Sequence, residues 1–235
     1  MTKITRLIRA VIFVTFLQLA FPFAFSGRAQ AAAEHDMQMW TPITLDARIY
    51  GKFRGYFEVN PRMTDGVSGL GQLIIRPGIE YRVNDNFSLM SGYAWQSIYG
   101  GEQVRHENRI WQQVLLHKGF KRCSIINRTR LEQRLFNHLD GSSNRIRHMV
   151  KLNVPVQKRL YATVSDELFI NFNSITNGPQ AGIDQNRLFV GMGYRFRPKA
   201  RVEAGYQLQY INRSEVFDDQ ANHAIVIQSF FGLRD

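Results

Sequence analysis

QLIIRPGIEYRV, residues 72–83, settles how the rest of the chain is read. Leu73, Ile75, Pro77, Ile79, Tyr81 and Val83 fall on one side of an extended backbone; Gln72, Arg76, Glu80 and Arg82 fall on the other. Alternation with period 2 marks a strand with one apolar and one polar face. The stretch is about twice the length of an ordinary strand in a soluble protein. Asn84-Asp85-Asn86 then turns the chain at once.

The same unit repeats from Lys52 to the C-terminus. Tight turns at residues 83–86, 118–121, 157–159 and 197–199 interleave with longer polar segments near 64–70, 97–105, 136–144, 173–184 and 212–221. Bilayer-spanning strands need about nine to eleven residues. Outer-membrane barrels join them by short periplasmic turns and longer external loops. The expected fold is all-β: a transmembrane antiparallel up-and-down β-barrel of about ten to twelve strands. Its long loops would be extracellular and both termini periplasmic. Ten strands fit between Lys52 and Leu233, and even counts are usual. Residues 37–45, which hold Trp40, Pro42, Ile43 and Leu45, are left over. They form either a further strand beside the closure seam or a plug in the lumen.

The remaining strands sort into faces in the same way. Ile146, Val150, Leu152 and Val154 oppose Arg145, Arg147, Lys151 and Asn153, while Leu188, Val190, Met192, Tyr194 and Phe196 oppose Arg187, Gly191, Gly193 and Arg195. Two strands sort less cleanly. Turning Glu107, Arg109 and Gln113 inward also turns in Trp111 and Leu115, and the adjacent Asp166 and Glu167 cannot both point inward without a bulge. Glu167 is the inward choice. Aromatics gather near both strand ends, Tyr81, Phe87, Phe120, Tyr161, Tyr194, Phe196 and Phe231 on the tight-turn side and Trp95, Tyr99, Phe136, Phe172 and Tyr210 on the other, as interfacial girdles do. A soluble periplasmic barrel is the rival, with the apolar face inward and the arginines outside.

The N-terminus says how the chain reaches a membrane. Lys3, Arg6 and Arg9 precede an apolar run over residues 10–25, and Ala29-Gln30-Ala31 fits a signal-peptidase site. Residues 1–31 are expected to be a cleaved secretory signal peptide, 32–51 an N-terminal segment and 52–235 the barrel. Loss of Lys3, Arg6, Arg9 and Arg28 takes the basic residues from 30 to 26 against 19 acids, so the formal charge falls from +11 to +7. The arginines are spread singly along strands of an exported chain, which argues against nucleic acid as a partner. Cys123 is the single cysteine, so no intrachain disulfide forms.

Function is sought first in the lumen. Its wall would carry Arg54, Arg76, Arg109, Arg128, Arg130, Arg134, Arg145, Arg147, Arg187, Arg195 and Arg201 against Glu58, Glu80, Glu132, Glu167 and Glu203. Buried charges must be paired or hydrated. The first reading is a structural network in a side-chain-filled, non-enzymatic barrel; the alternative is a narrow anion-preferring pore. A lipid hydrolase would need a serine and a histidine on the rim. The candidates are His148 and His223 with Ser142, Ser143 and Ser214, and no elbow motif singles out a serine. Glu34, His35 and Asp36 form a weakly chelating cluster read as solvated chain, and Cys123 has no partner at ligand spacing. No cofactor is implied.

Asn108-Arg109-Ile110-Trp111-Gln112-Gln113 and Arg128-Thr129-Arg130-Leu131-Glu132-Gln133-Arg134 resemble the core of an uncharacterised bacterial outer-membrane barrel family, domain of unknown function 2490. Trp40, Asp166-Glu167-Leu168-Phe169, Asn186-Arg187 and Gly193-Tyr194-Arg195-Phe196 are similar to it too. The resemblance implies a barrel in the outer membrane, with membrane lipid and the barrel-assembly machinery as partners, and no established activity. Many such barrels end on an aromatic residue, whereas here Gly232-Leu233-Arg234-Asp235 follows Phe231.

Overall fold

Alternation along the chain becomes a closed wall in the computed structural model, which describes residues 34–101, 103–213 and 219–233. The strands are β1 (Glu34–Trp40), β2 (Ile43–Tyr50), β3 (Phe53–Thr64), β4 (Gly69–Asn84), β5 (Phe87–Ile98), β6 (Arg105–Gly119), β7 (Ser124–Phe136), β8 (Ser142–Pro155), β9 (Leu160–Asn171), β10 (Gly182–Arg197), β11 (Ala200–Ile211) and β12 (Gln220–Leu233). From β2 to β12 each pairs antiparallel with the next. The expected signal peptide, residues 1–31, lies outside the described residues.

The seam is where the sequence left most open. β1 runs parallel to β12 from Glu34↔Gln220 to Trp40↔Val226, and β2 resumes the same register from Ile43↔Ser229 to Ala47↔Leu233. They are two halves of one strand, so eleven strands close the barrel. Residues 37–45 therefore belong to the wall and are not a plug. The break falls at Thr41-Pro42, and Pro61 lies in the facing stretch of β3. A proline has no N–H to give the ladder. The carbonyls remain in use: Thr41 N donates to Pro61 O at 3.1 Å and Ser229 N to Pro42 O at 2.9 Å.

An odd strand count corrects one expectation. Glu34 begins beside Gln220 at the long-loop rim, whereas Leu233 ends at the tight-turn rim. The two ends of the described chain thus lie on opposite rims, and not both on the tight-turn side. The interleaving of turns is as the sequence indicates, with one further tight turn at Gly51-Lys52, where Gly51 takes φ +53°.

Apolar side chains cover the outside: Ile79, Ile110, Val190, Phe172, Phe196 and Ile225 are all at least half exposed. Arginines and carboxylates are buried inside. This is the reverse of a soluble barrel and suits a hydrocarbon solvent. Asp166 does face outward, covered by its neighbours and hydrogen-bonded by Asn186 Nδ2 at 3.0 Å, while Glu167 faces the lumen. Tyr161 departs from the girdle expected for it: it points inward and is 1% exposed.

Candidate functional site in the lumen

Large side chains fill the lumen at successive levels, from Phe169 on the long-loop side to Tyr161 and Glu203 on the tight-turn side. Trp111 (β6), Tyr161 and Phe169 (β9), Arg130 and Glu132 (β7) and Glu203 (β11) are each no more than 1% exposed. Glycines make room for them. Gly78 and Gly92 are cross-strand partners, and a Cβ on either would come within 2.6 Å of Trp111. A Cβ at Gly193 would meet the Tyr161 ring at 2.1 Å. The Trp111 indole meets Tyr56 edge-on at 6.0 Å, and the Arg130 guanidinium lies 4.8 Å from its centroid.

The lumen charges form separate groups. In the largest, Glu132 accepts from Arg145 Nη2 at 2.7 Å and Arg147 Nη1 at 2.8 Å, with Arg130 Nη1 at 3.8 Å. Register explains this, because Glu132 faces Arg145 directly and Arg147 stands on the same face two residues on. Arg147 also reaches Glu167, which takes Arg128 Nη2 at 2.7 Å. Glu107 clamps Arg109 and Arg134 at 2.6 and 2.5 Å, and Glu58 takes Arg76 at 2.6 Å. Nearer the tight turns, Glu203 holds Lys151 and, at 2.7 Å, the Tyr161 hydroxyl. Arg201 stands 3.7 Å from Glu203 and is 40% exposed. Arg54 pairs with Asp46 and sits 3.7 Å from Glu80. Arg195 meets no carboxylate among the described residues and stacks on Tyr161 at 4.5 Å.

Sequence reasoning missed several members. Asp46 was hidden in the unassigned N-terminal segment, and Asp184, which takes Arg145 Nη1 at 2.8 Å, in a stretch read as loop. Arg62 escaped because Pro61 interrupts the pattern just before it, yet β3 continues to Thr64. Alternation past the proline was the available signal: Asn60, Arg62 and Thr64 prolong the inward series.

Above the covered side chains the lumen widens into a cavity of about 820 Å³ that reaches the long-loop rim at Thr64, Asp65, Gly100 and Arg213. Nine arginines and four carboxylates line it, an excess of five positive charges. Most carboxylates there already have partners. Glu107 is clamped as above; Asp36 accepts from the Asp65 and Gly66 amides at 3.2 and 3.0 Å; Glu34 pairs with Arg213 at 3.1 Å.

The hydrolase candidates are not assembled. His148 Nδ1 lies 2.8 Å from Thr129 Oγ1, and Asn127 Nδ2 lies 3.0 Å from Nε2. His223 is held by the Tyr206 hydroxyl at 2.5 Å and by His35 at 2.9 Å. Ser142 and Ser143 share a strand with His148, and five or six residues of extended chain separate them by about 16–20 Å. Ser214 lies outside the described residues. Ser97 Oγ does approach His106 Nδ1 at 2.9 Å, but Ser97 is fully covered. The N-terminal trio is split, since His35 faces outward and Asp36 inward. Among the described residues no group of three potential metal ligands comes together.

A closed wall of strands, antiparallel except at the parallel seam with β12, apolar without and charged within, defines a transmembrane β-barrel. Residues 37–221 match the family described as "Protein of unknown function (DUF2490)", and the chain belongs to that family. An uncharacterized protein of Methylorubrum extorquens is 32% identical over 212 residues, covering 88% of this chain and 92% of that one. Among solved structures, an anion-selective porin from Comamonas acidovorans aligns with 79% of this chain at 12% identity and a TM-score of 0.40. This chain spans 55% of that porin's length.

Proposed function

We propose that the chain is a non-enzymatic outer-membrane barrel with a closed lumen, its long loops and basic cavity facing outward and its tight turns facing the periplasm. The observation that carries this reading is that large side chains are fully covered at successive levels of the lumen, Trp111, Arg130, Glu132 and Phe169 above and Tyr161 and Glu203 nearer the tight turns. A barrel of about eight strands is just filled by its own side chains. Eleven strands enclose more space, and here bulky aromatics and paired guanidiniums occupy it.

Purified barrel reconstituted in a planar bilayer tests the reading. The expected result is negligible single-channel current in molar potassium chloride. A steady, anion-selective conductance that falls on Arg130→Glu would replace the closed lumen with a pore.

A further inference from the structure

Three of the guanidiniums lining the upper cavity have no acid partner among the described residues, Arg105, which is exposed at the rim, and two deeper ones. Arg62, on β3, is 6% exposed, and Arg187 reaches in from β10. Among the described residues neither comes within ion-pair distance of a carboxylate. Both are placed by one indole: Arg62 Cζ lies 3.8 Å and Arg187 Cζ 5.1 Å from the Trp40 ring centroid. Arg187 also stacks on Phe169 at 4.6 Å. Arg62 Nη1 donates to Gln72 Oε1 at 3.2 Å, but the Nε atoms of both arginines are buried without an acceptor. Nη1 of Arg134, on the same cavity wall, is likewise buried and unpartnered.

An aromatic face orients a guanidinium without using its N–H donors. Nη2 of Arg62 and both Nη atoms of Arg187 are neither covered nor hydrogen-bonded among the described residues, and such donors on fixed, planar cations suit oxygen acceptors carrying negative charge, which guanidiniums bind in paired hydrogen bonds. Their positive charge would otherwise be poorly compensated in a partly desolvated wall. The rim carboxylates are already engaged, so they do not neutralise this deep pair. A cavity of about 820 Å³ is too roomy for one chloride and falls in the range of small-molecule sites.

We infer that the deep end of this cavity, at Arg62, Trp40 and Arg187, binds a soluble multivalent oxyanion of the phosphate or polycarboxylate class. The site rests on the closed-lumen reading in one respect only: the covered side chains beneath it are its floor. The barrel wall separates it from lipid, so the anion enters from solution and not as a lipid headgroup.

Pyrophosphate is the probe, titrated calorimetrically into detergent-purified full-length barrel free of lipopolysaccharide. Saturable binding is expected. Arg62→Gln and Arg187→Gln should each weaken it by about tenfold or more, the worth of a charge-assisted hydrogen bond. The double variant should abolish it. Arg62→Lys, which keeps the charge and loses the fork, should fall between. Arg82→Gln, at the opposite rim, should leave it unchanged. Heat-modifiable migration establishes that each variant is folded. No binding to folded wild type overturns the inference, as does equal binding by the double variant. Lipopolysaccharide added before the titration should not compete; displacement by it would assign the site to a headgroup and overturn the soluble anion. Current recorded on the same preparation keeps the two readings apart. Arginine-dependent binding by a conducting barrel would sink the closed lumen and keep the site.

Discussion

Glu132 shows how much rests on single lumen residues. It is 1% exposed and holds Arg145 and Arg147, with Arg130 beside it. Glu132→Gln keeps the shape and removes the charge that three guanidiniums face. Breaking a buried ion pair from one side costs about 3–5 kcal/mol. The variant should therefore unfold at clearly lower denaturant than wild type, followed by tryptophan fluorescence. Stability equal to wild type would mean that water or ions already screen these arginines. Gly92 makes a different demand. A Cβ there would lie 2.3 Å from the Pro77 carbonyl and 2.6 Å from Trp111. The carbonyl belongs to the neighbouring strand and cannot rotate away. Gly92→Ala is expected to destabilise by about 1–3 kcal/mol, as overpacking does. The same assay checks it, and an unchanged midpoint would show that the β4–β5 pair yields.

On the scale of the strand, the alternation of faces makes the next prediction. Val190 lies in the middle of β10, 54% exposed on the outer wall, while Arg201 of β11 faces the lumen 3.7 Å from Glu203 and is 40% exposed. A lysine on the lipid face near the midplane costs about 2–4 kcal/mol. Val190→Lys should sharply reduce the heat-modifiable folded band in membranes, whereas Arg201→Gln should retain most of it, because Glu203 keeps Lys151. Equal loss from both would contradict the assignment of faces. The strands and their faces were legible in the sequence because polarity itself alternates, as at Arg76, Glu80 and Arg82 against Ile75, Ile79 and Tyr81. The lumen aromatics were less so. Trp40, Tyr161, Phe169 and Phe189 obey the same period as lipid-facing rings, and hydrophobicity cannot tell a ring that plugs from a ring that faces lipid. What separates them is the register partner: Tyr161 faces Gly193. The seam strand was obscured by Pro42, which breaks the pattern just where the count of strands is decided. Arg62 was lost in the same way behind Pro61.

For the molecule as a whole, the odd number of strands has a consequence that an even barrel lacks. Since β1 runs parallel to β12, the start of the described chain shares a rim with the long loops and its end shares a rim with the tight turns. Cys123, the single cysteine, closes the tight turn between β6 and β7 and is partly accessible, so it is a native reporter for that rim. With long loops outward, a membrane-impermeant maleimide should leave Cys123 unlabelled on intact cells and label it once the outer membrane is permeabilised. In a Cys123→Ser background, Asp140→Cys in the β7–β8 loop should label on intact cells. Glu34→Cys, at the start of β1, should behave like Asp140→Cys, although it lies near the expected cleavage site. Labelling of Cys123 on intact cells with protection of Asp140→Cys would reverse the orientation and turn the basic cavity toward the periplasm. If Glu34→Cys instead followed Cys123, the parallel seam and the eleven-strand closure would be wrong. The rim residues that open the arginine-lined cavity, Thr64, Asp65, Gly100 and Arg213, share the side of Asp140 and Glu34, so the same labelling decides which compartment supplies its anion.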